Sequence, residues 1–130
     1  MTWSRQRLTT PQEFRSVTRG GVRTHRSHVV IHLGPLPQTG PESRVGFVVS
    51  KKIGNAVVRN RVTRRLREII RPELEDLPAG SGVVLRALPG IDQQPFAQLR
   101  TDVHAGVAAA LRKQERRGTP RTAEASRTTT

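Results

Sequence analysis

The chain has 130 residues, with 23 Lys plus Arg against 10 Asp plus Glu and a formal net charge of +13. That length holds one domain, and the charge excess exceeds what folding requires, pointing to a polyanionic partner. With no cysteine, a disulfide framework and a thiolate zinc site are both excluded. The longest apolar runs, residues 83–85 and 107–111, fall far short of the ~20 residues that span a bilayer. The N-terminal stretch around Trp3, Arg5 and Arg7 lacks a signal-peptide core. A cytoplasmic location without membrane contact is expected.

In chain order, Thr10-Pro11-Gln12-Glu13 opens a helix. Thr10 caps it, Pro11 suits its first turn, and Glu13 can reach back in a capping box. Gly20-Gly21 ends it. Residues 28–33 are β-branched, with Val29, Ile31 and Leu33 on one face and His28, Val30 and His32 on the other, which predicts a strand. Residues 34–43 are rich in Pro and Gly and read as a loop. A second strand covers residues 44–50, with Val45, Phe47 and Val49 sharing a face.

After a turn at Ile53-Gly54-Asn55, the apolar residues Val58, Val62, Leu66, Ile69 and Ile70 recur at helical spacing. Asn55 is the expected cap, and Pro72 ends the helix near Arg71. An acidic turn follows, then a strand over residues 83–88. A final amphipathic helix is spaced by Phe96, Leu99, Val103, Val107 and Leu111, with Gly106 an unfavourable interior residue. Phe47 and Phe96 are expected in the core. Residues 1–7 are expected to be flexible and residues 113–130 to form a disordered tail, leaving one domain within residues 1–112.

The charge is not spread evenly. Residues 51–71 hold eight basic side chains and one acid, Glu68, so more than half of the net charge lies there. On a helical wheel Asn60, Arg64, Arg67 and Arg71 fall within about 60° of one another, opposite Val62. Arg59, Arg61 and Arg65 flank this stripe. One face packs and the other presents planar bidentate donors to phosphates. Lys51 and Lys52 precede it, beside a helix N-terminus suited to anions. An arginine-rich face is often only a solvated surface. Here one acid cannot neutralise eight bases, and their mutual repulsion favours an external polyanion.

The histidines do not suggest a metal site. Along a strand His28 and His32 stand about 13 Å apart, His25 precedes them in the turn or on the opposite face, and His104 lies in the last helix. No Ser-His-Asp arrangement, carboxylate pair or phosphate-binding glycine loop accompanies the basic helix. Neither a catalytic residue nor a metal ligand is assigned.

The run VGFVVSKKIGNAVVRNRVTRRLRE at residues 45–68 closely resembles the signature of the bacterial ribonuclease P protein family. Arg7-Leu8 and Glu13-Phe14 resemble the family's first helix, and residues 83–87 its last strand. The resemblance implies an α/β (α+β) two-layer sandwich related to the second domain of ribosomal protein S5. Its order is α-β-β-β-α-β-α, with a left-handed β-α-β crossover where pattern alone predicts a right-handed one. It further implies a protein subunit that assists a catalytic RNA in removing the 5′ leader from precursor tRNA, in a 1:1 complex. Mg2+ then belongs to the RNA active site, with no cofactor held by the protein alone.

By position, Ser50, Lys51, Lys52, Asn55, Arg59, Asn60, Arg61, Arg64, Arg65 and Arg67 match the family's basic motif, and Arg71 extends the stripe. The family's leader-binding cleft maps onto Phe14, Thr18, Val30 and His32, with Phe14 the best stacking candidate. Thr18 and His32 stand where relatives often carry aromatic rings, which implies weaker leader stacking. Phe14 also has helical spacing to Val17, which suits a core residue. A ribosomal-type structural RNA-binding module is the alternative function, and an autonomous metal-dependent nuclease the third.

Overall fold

The computed structural model describes residues 7–37 and 42–127, with side chains described as far as Arg116. Its elements are α1 (Pro11–Gly20), β1 (Val22–Arg26), β2 (Val29–Pro35), β3 (Arg44–Val48), α2 (Ala56–Ile70), β4 (Ser81–Ala87) and α3 (Phe96–Arg127). Short 3-10 turns sit at Lys51–Ile53, Arg71–Asp76 and Ile91–Gln93. This is the α-β-β-β-α-β-α order. The four strands form one sheet in the order β1-β2-β4-β3, in which β3 and β4 run parallel and the other pairs antiparallel. The β3–α2–β4 crossover makes that parallel pair possible.

The register sets one side of the sheet apart from the other. Val22 pairs with Leu33, Ile31 with Leu85, and Val45 with Val83. These side chains share a face with Val29 and Ala87, and they join Val62, Leu66, Ile69 and Ile70 of α2 and Leu99, Val103 and Val107 of α3 in the main core. Gly106 has a tertiary reason inside α3. A Cβ there would come 2.3 Å from Ile31 Cδ1, and its carbonyl accepts a 2.9 Å hydrogen bond from Thr24 Oγ1.

The opposite face carries Arg23, His25, Val30, His32, Gly46, Val48, Val84 and Arg86. Part of it is covered by α1, whose Val17 packs with Leu8 and Val84 in a second cluster joined by Phe14, Leu36 and Val48. The predicted capping box holds α1 in place. Thr10 Oγ1 accepts from the Glu13 amide at 3.1 Å, and Glu13 Oε1 accepts from the amides of Thr9 at 2.7 Å and Thr10 at 3.2 Å. Glu13 is buried and also pairs with Arg44 at 3.5 Å, tying α1 to β3.

Several sequence expectations are corrected. The polar stretch Val22–Arg26 gave no strand signal by residue pattern, yet it pairs along its whole length with β2. The β2 strand runs on to Pro35, because Gly34 and Pro35 pair with Gly82 and Ser81. At the N-terminal end of the described residues Arg7 bridges Val45 in parallel, and the Leu8 amide donates to the Val45 carbonyl at 2.9 Å. As β3 is an edge strand, its backbone groups need such partners. Residues 1–6 of the segment expected to be flexible lie outside the described residues.

The final helix extends to Arg127, past the expected domain end at residue 112, while its packing against the core ends at Leu111. Lys113, Gln114, Glu115 and Arg116 are good helix formers, which carries the helix beyond its packed part. Residues 128–130 lie outside the described residues. Phe96 is not in the core but 37% exposed. It starts α3 one turn before Leu99, where burial begins.

Candidate nucleic-acid interface

The basic helix is mounted as its pattern requires. Val62, Leu66, Ile69 and Ile70 are buried, while Asn60, Arg61, Arg64 and Arg71 are exposed and Arg59, Arg65 and Arg67 half-buried. Asn55 caps α2, its Oδ1 accepting from the Val58 amide at 3.0 Å. That amide is therefore not open to an anion, a limit on the helix-terminus site expected from sequence. Arg59 Nε donates to the Gly54 carbonyl at 3.1 Å, which turns this side chain back to brace the helix entrance. Ser50, Lys51 and Lys52 are exposed at that entrance. Arg71 lies just beyond α2 in αR geometry, its amide bonded to the Arg67 carbonyl, so the stripe stays in register.

The four expected cleft residues lie on α1 and on the sheet face beneath it. Phe14 and Thr18 are half-buried on α1, and Val30 and His32 are buried on β2. Thr18 Oγ1 is committed to the Phe14 carbonyl at 2.9 Å. The Phe14 ring lies over Gly46, where an added Cβ would meet its Cε1 and Cζ at 2.5 Å. Phe14 is thus partly a packing residue, as its spacing suggested, and also a wall residue. A cavity of about 380 Å³ opens beside it, lined by Arg7, Phe14, Gly46, Phe47, Thr63 and Arg67 among others. Arg67 belongs to both regions, since α2 contributes it to the stripe and to this cavity.

Sequence reasoning missed two charged residues of the cleft floor. Arg23 and Val84 flank His32 in the sheet, and Arg86 pairs with Val30. Arg23 and Arg86 are exposed. Alternation within residues 83–88 was the available signal for Arg86, which falls opposite Val83, Leu85 and Ala87. Burial, followed by the charges of Arg86 and Arg23, holds the His32 imidazole below its ordinary pKa. Its Nδ1 is buried without a hydrogen-bond partner.

Among the described residues no group of three or more His, Cys, Asp or Glu side chains could hold a metal ion, and no helix is long and apolar enough to cross a membrane. The histidines are dispersed: His28 Nδ1 lies 3.1 Å from the Pro89 carbonyl, and His104 Nδ1 pairs with Glu73 Oε2. A guanidinium stripe on a rigidly packed helix, next to a cationic cleft, defines a small α+β protein of the polyanion-binding class.

Comparison with known proteins makes that class specific. Residues 3–111 match the family model described as Ribonuclease P. A ribonuclease P protein component from Salinispora tropica is 44% identical, the match covering 86% of this chain and 95% of that protein. The one from Kocuria rhizophila is 43% identical over 85% of this chain and 96% of its own. The RNase P protein of Staphylococcus aureus superposes with a TM-score of 0.72 at 22% identity, covering 81% of this chain and 94% of that one. The Thermotoga maritima protein gives 0.64 at 24%, covering 76% and 92%; at these identities the structures bear on fold alone. The chain belongs to the ribonuclease P protein family.

Proposed function

We propose that this chain acts in the cytoplasm as the protein subunit of ribonuclease P, binding the catalytic RNA through the α2 stripe and the 5′ leader of precursor tRNA through the α1 face. The observation that carries the assignment is the α2 surface. Exposed Arg61 and Arg64, with Arg71 at the C-cap, are carried by a helix whose other face is buried in the main core, so the backbone that presents the donors is in place before RNA binds. The cavity shared by Phe14, Gly46 and Arg67 joins that surface to the cleft. A strand leaving the RNA subunit can enter the cleft without crossing an uncharged gap.

In this reading the protein positions and the RNA cuts. Hydrolysis of the phosphodiester leaves a 5′-phosphate on the tRNA, with Mg2+ held by the RNA. No chemical step is assigned to the side chains of the protein. The guanidinium groups screen phosphates of two strands brought together, which lowers the ion concentration needed for assembly. One protein per RNA satisfies the single stripe and single cleft. A ribosomal-type module would share the fold, but the family match across residues 3–111 favours the processing subunit.

The test combines the chain with a bacterial ribonuclease P RNA and end-labelled precursor tRNA at low magnesium. Cleavage at the mature 5′ end should be stimulated over RNA alone. An unstimulated rate, with the protein shown to be folded, rules the assignment out. Cleavage by the protein without RNA would revive the autonomous nuclease.

A further inference from the structure

On the side of the sheet away from α1, a groove of about 580 Å³ runs between α2 and α3. Its walls are Arg64, Arg65 and Glu68 from α2 and Phe96, Arg100 and His104 from α3, over a floor of Ile69 and Pro72. We propose that this groove is a second RNA site, which takes one unpaired nucleotide with its base stacked on Phe96 and its phosphate between Arg65 and Arg100. The proposal rests on the reading of this chain as an RNA-binding subunit and extends its surface beyond α2.

Three observations converge on a nucleotide. Phe96 and Val57 are the exposed large hydrophobic residues among those described, Phe96 at 37%. An aromatic ring left in water beside guanidinium groups is the usual platform for an unpaired base, because every base offers a π-face and arginine adds cation–π attraction. Second, Arg64, Arg65 and Arg100 are in no ion pair among the described residues, although Glu68 and Glu73 are close in sequence or space. Glu73 is engaged by His104. Third, the volume lies within the range of small-molecule sites and suits a mononucleotide rather than a helix.

The acid that lines the groove narrows the chemistry. Glu68 lines it as a carboxylate, which accepts hydrogen bonds and repels a bare phosphate. A base edge carrying an exocyclic amine satisfies that acceptor, while an acidic peptide does not. Arg64 belongs both to the groove and to the α2 stripe, so RNA lying along the stripe can deliver a bulged or looped-out nucleotide here without leaving the positive surface. A duplex keeps its bases inside and could not use Phe96.

The experiment uses the full chain, a bacterial ribonuclease P RNA and, as a minimal probe, fluorescein-labelled oligoadenosine and oligocytidine. Phe96→Ala and Arg100→Gln should each weaken binding roughly tenfold, the effect of losing one stacking or phosphate contact. Phe96→Leu, which keeps bulk without a π-face, should not restore it, whereas Phe96→Trp should. In a Trp3→Phe background the Phe96→Trp emission should be quenched by either oligonucleotide. Arg61→Ala, at an exposed residue that flanks the stripe outside the groove, serves as the reference. If Arg61→Ala weakens binding while Phe96→Ala and Arg100→Gln do not, the groove site is overturned and the subunit assignment stands. If all three bind as wild type the groove site is likewise overturned, and if the wild-type chain binds neither the oligonucleotides nor the ribonuclease P RNA, the underlying RNA-binding reading falls with it. Full rescue by Phe96→Leu would make Phe96 a packing residue only, and a change confined to self-association would make the groove a contact between copies; either overturns the proposal.

Discussion

The α2 surface and the cleft under α1 are both basic, yet they are assembled in opposite ways. The first is drawn from about one and a half dozen contiguous residues whose helical period separates a buried side from an arginine side. The second is drawn from α1 and all four strands, and it exists only when the sheet has formed and Glu13 has tied α1 to Arg44. A contiguous surface loses contacts one at a time. A composite one loses geometry, so its substitutions should change stability and binding together.

The largest effect falls where both regions share a foundation. Leu66 is fully buried beneath α2 in the main core, so Leu66→Ala should cost about 2–5 kcal/mol. Chemical denaturation would measure it. Since the core is common, RNA-subunit binding and leader binding should fail over the same denaturant range; a cleft that survived loss of α2 would break the expected coupling.

Next come substitutions that part the two regions. Arg64→Ala should leave the unfolding midpoint nearly unchanged and lower the log–log salt slope of RNA binding by roughly 0.9 if its contact is to duplex-like RNA. Gly46→Ala should do the converse. The new methyl would press on Phe14, at 2.5 Å from ring atoms before relaxation. Overpacking of that kind costs about 1–3 kcal/mol. Leader-dependent affinity for precursor tRNA should fall more than affinity for mature tRNA or the RNA subunit. Equal losses for all three ligands would mean that Phe14 does not shape the leader site.

A smaller effect is expected at the tether. Glu13→Ala removes the acceptor of two backbone amides and the partner of Arg44, at about 1–2 kcal/mol for a capping interaction of this kind. Thermal unfolding would register it. Glu13→Gln, which keeps an acceptor and drops the charge, should recover most of the loss if the hydrogen bonds dominate over the 3.5 Å ion pair; no recovery would assign the effect to the charge.

The same contrast explains what could be read in the sequence. Every feature of α2, from the Asn55 cap to the buried Val62 and Leu66, is local and periodic, so it was legible. The capping box at Thr10 and Glu13 was local too. The β1 strand was not, because Arg23, Thr24 and His25 gain their reason only from pairing with β2. Phe96 looked like a core residue because periodicity marks the helix but not the point at which its partner surface ends. The Gly106 position looked unfavourable for a similar reason, its benefit being the space it gives Ile31 across the core. Arg23 and Arg86 became cleft residues only once the register placed them around Val30 and His32.

The smallest effect, and the one that most sharply separates the regions, concerns protons. Arginines do not titrate in the working range, so the α2 stripe itself responds little to pH. His32 does respond, since burial and the charges of Arg86 and Arg23 lower its pKa from 6.5. With the folded value below the unfolded one, the unfolded chain binds more protons between the two. Stability is then fully present above about pH 6.5 and declines as pH falls towards the folded pKa. His32→Gln should flatten that decline in denaturant midpoints measured across this interval; identical slopes in both proteins would count against it. A phosphate bound on the cleft floor offsets Arg23 and Arg86, so leader RNA should raise the His32 pKa and shrink the same decline. RNA confined to the α2 stripe should leave it in place, which makes the imidazole a reporter of which region is occupied.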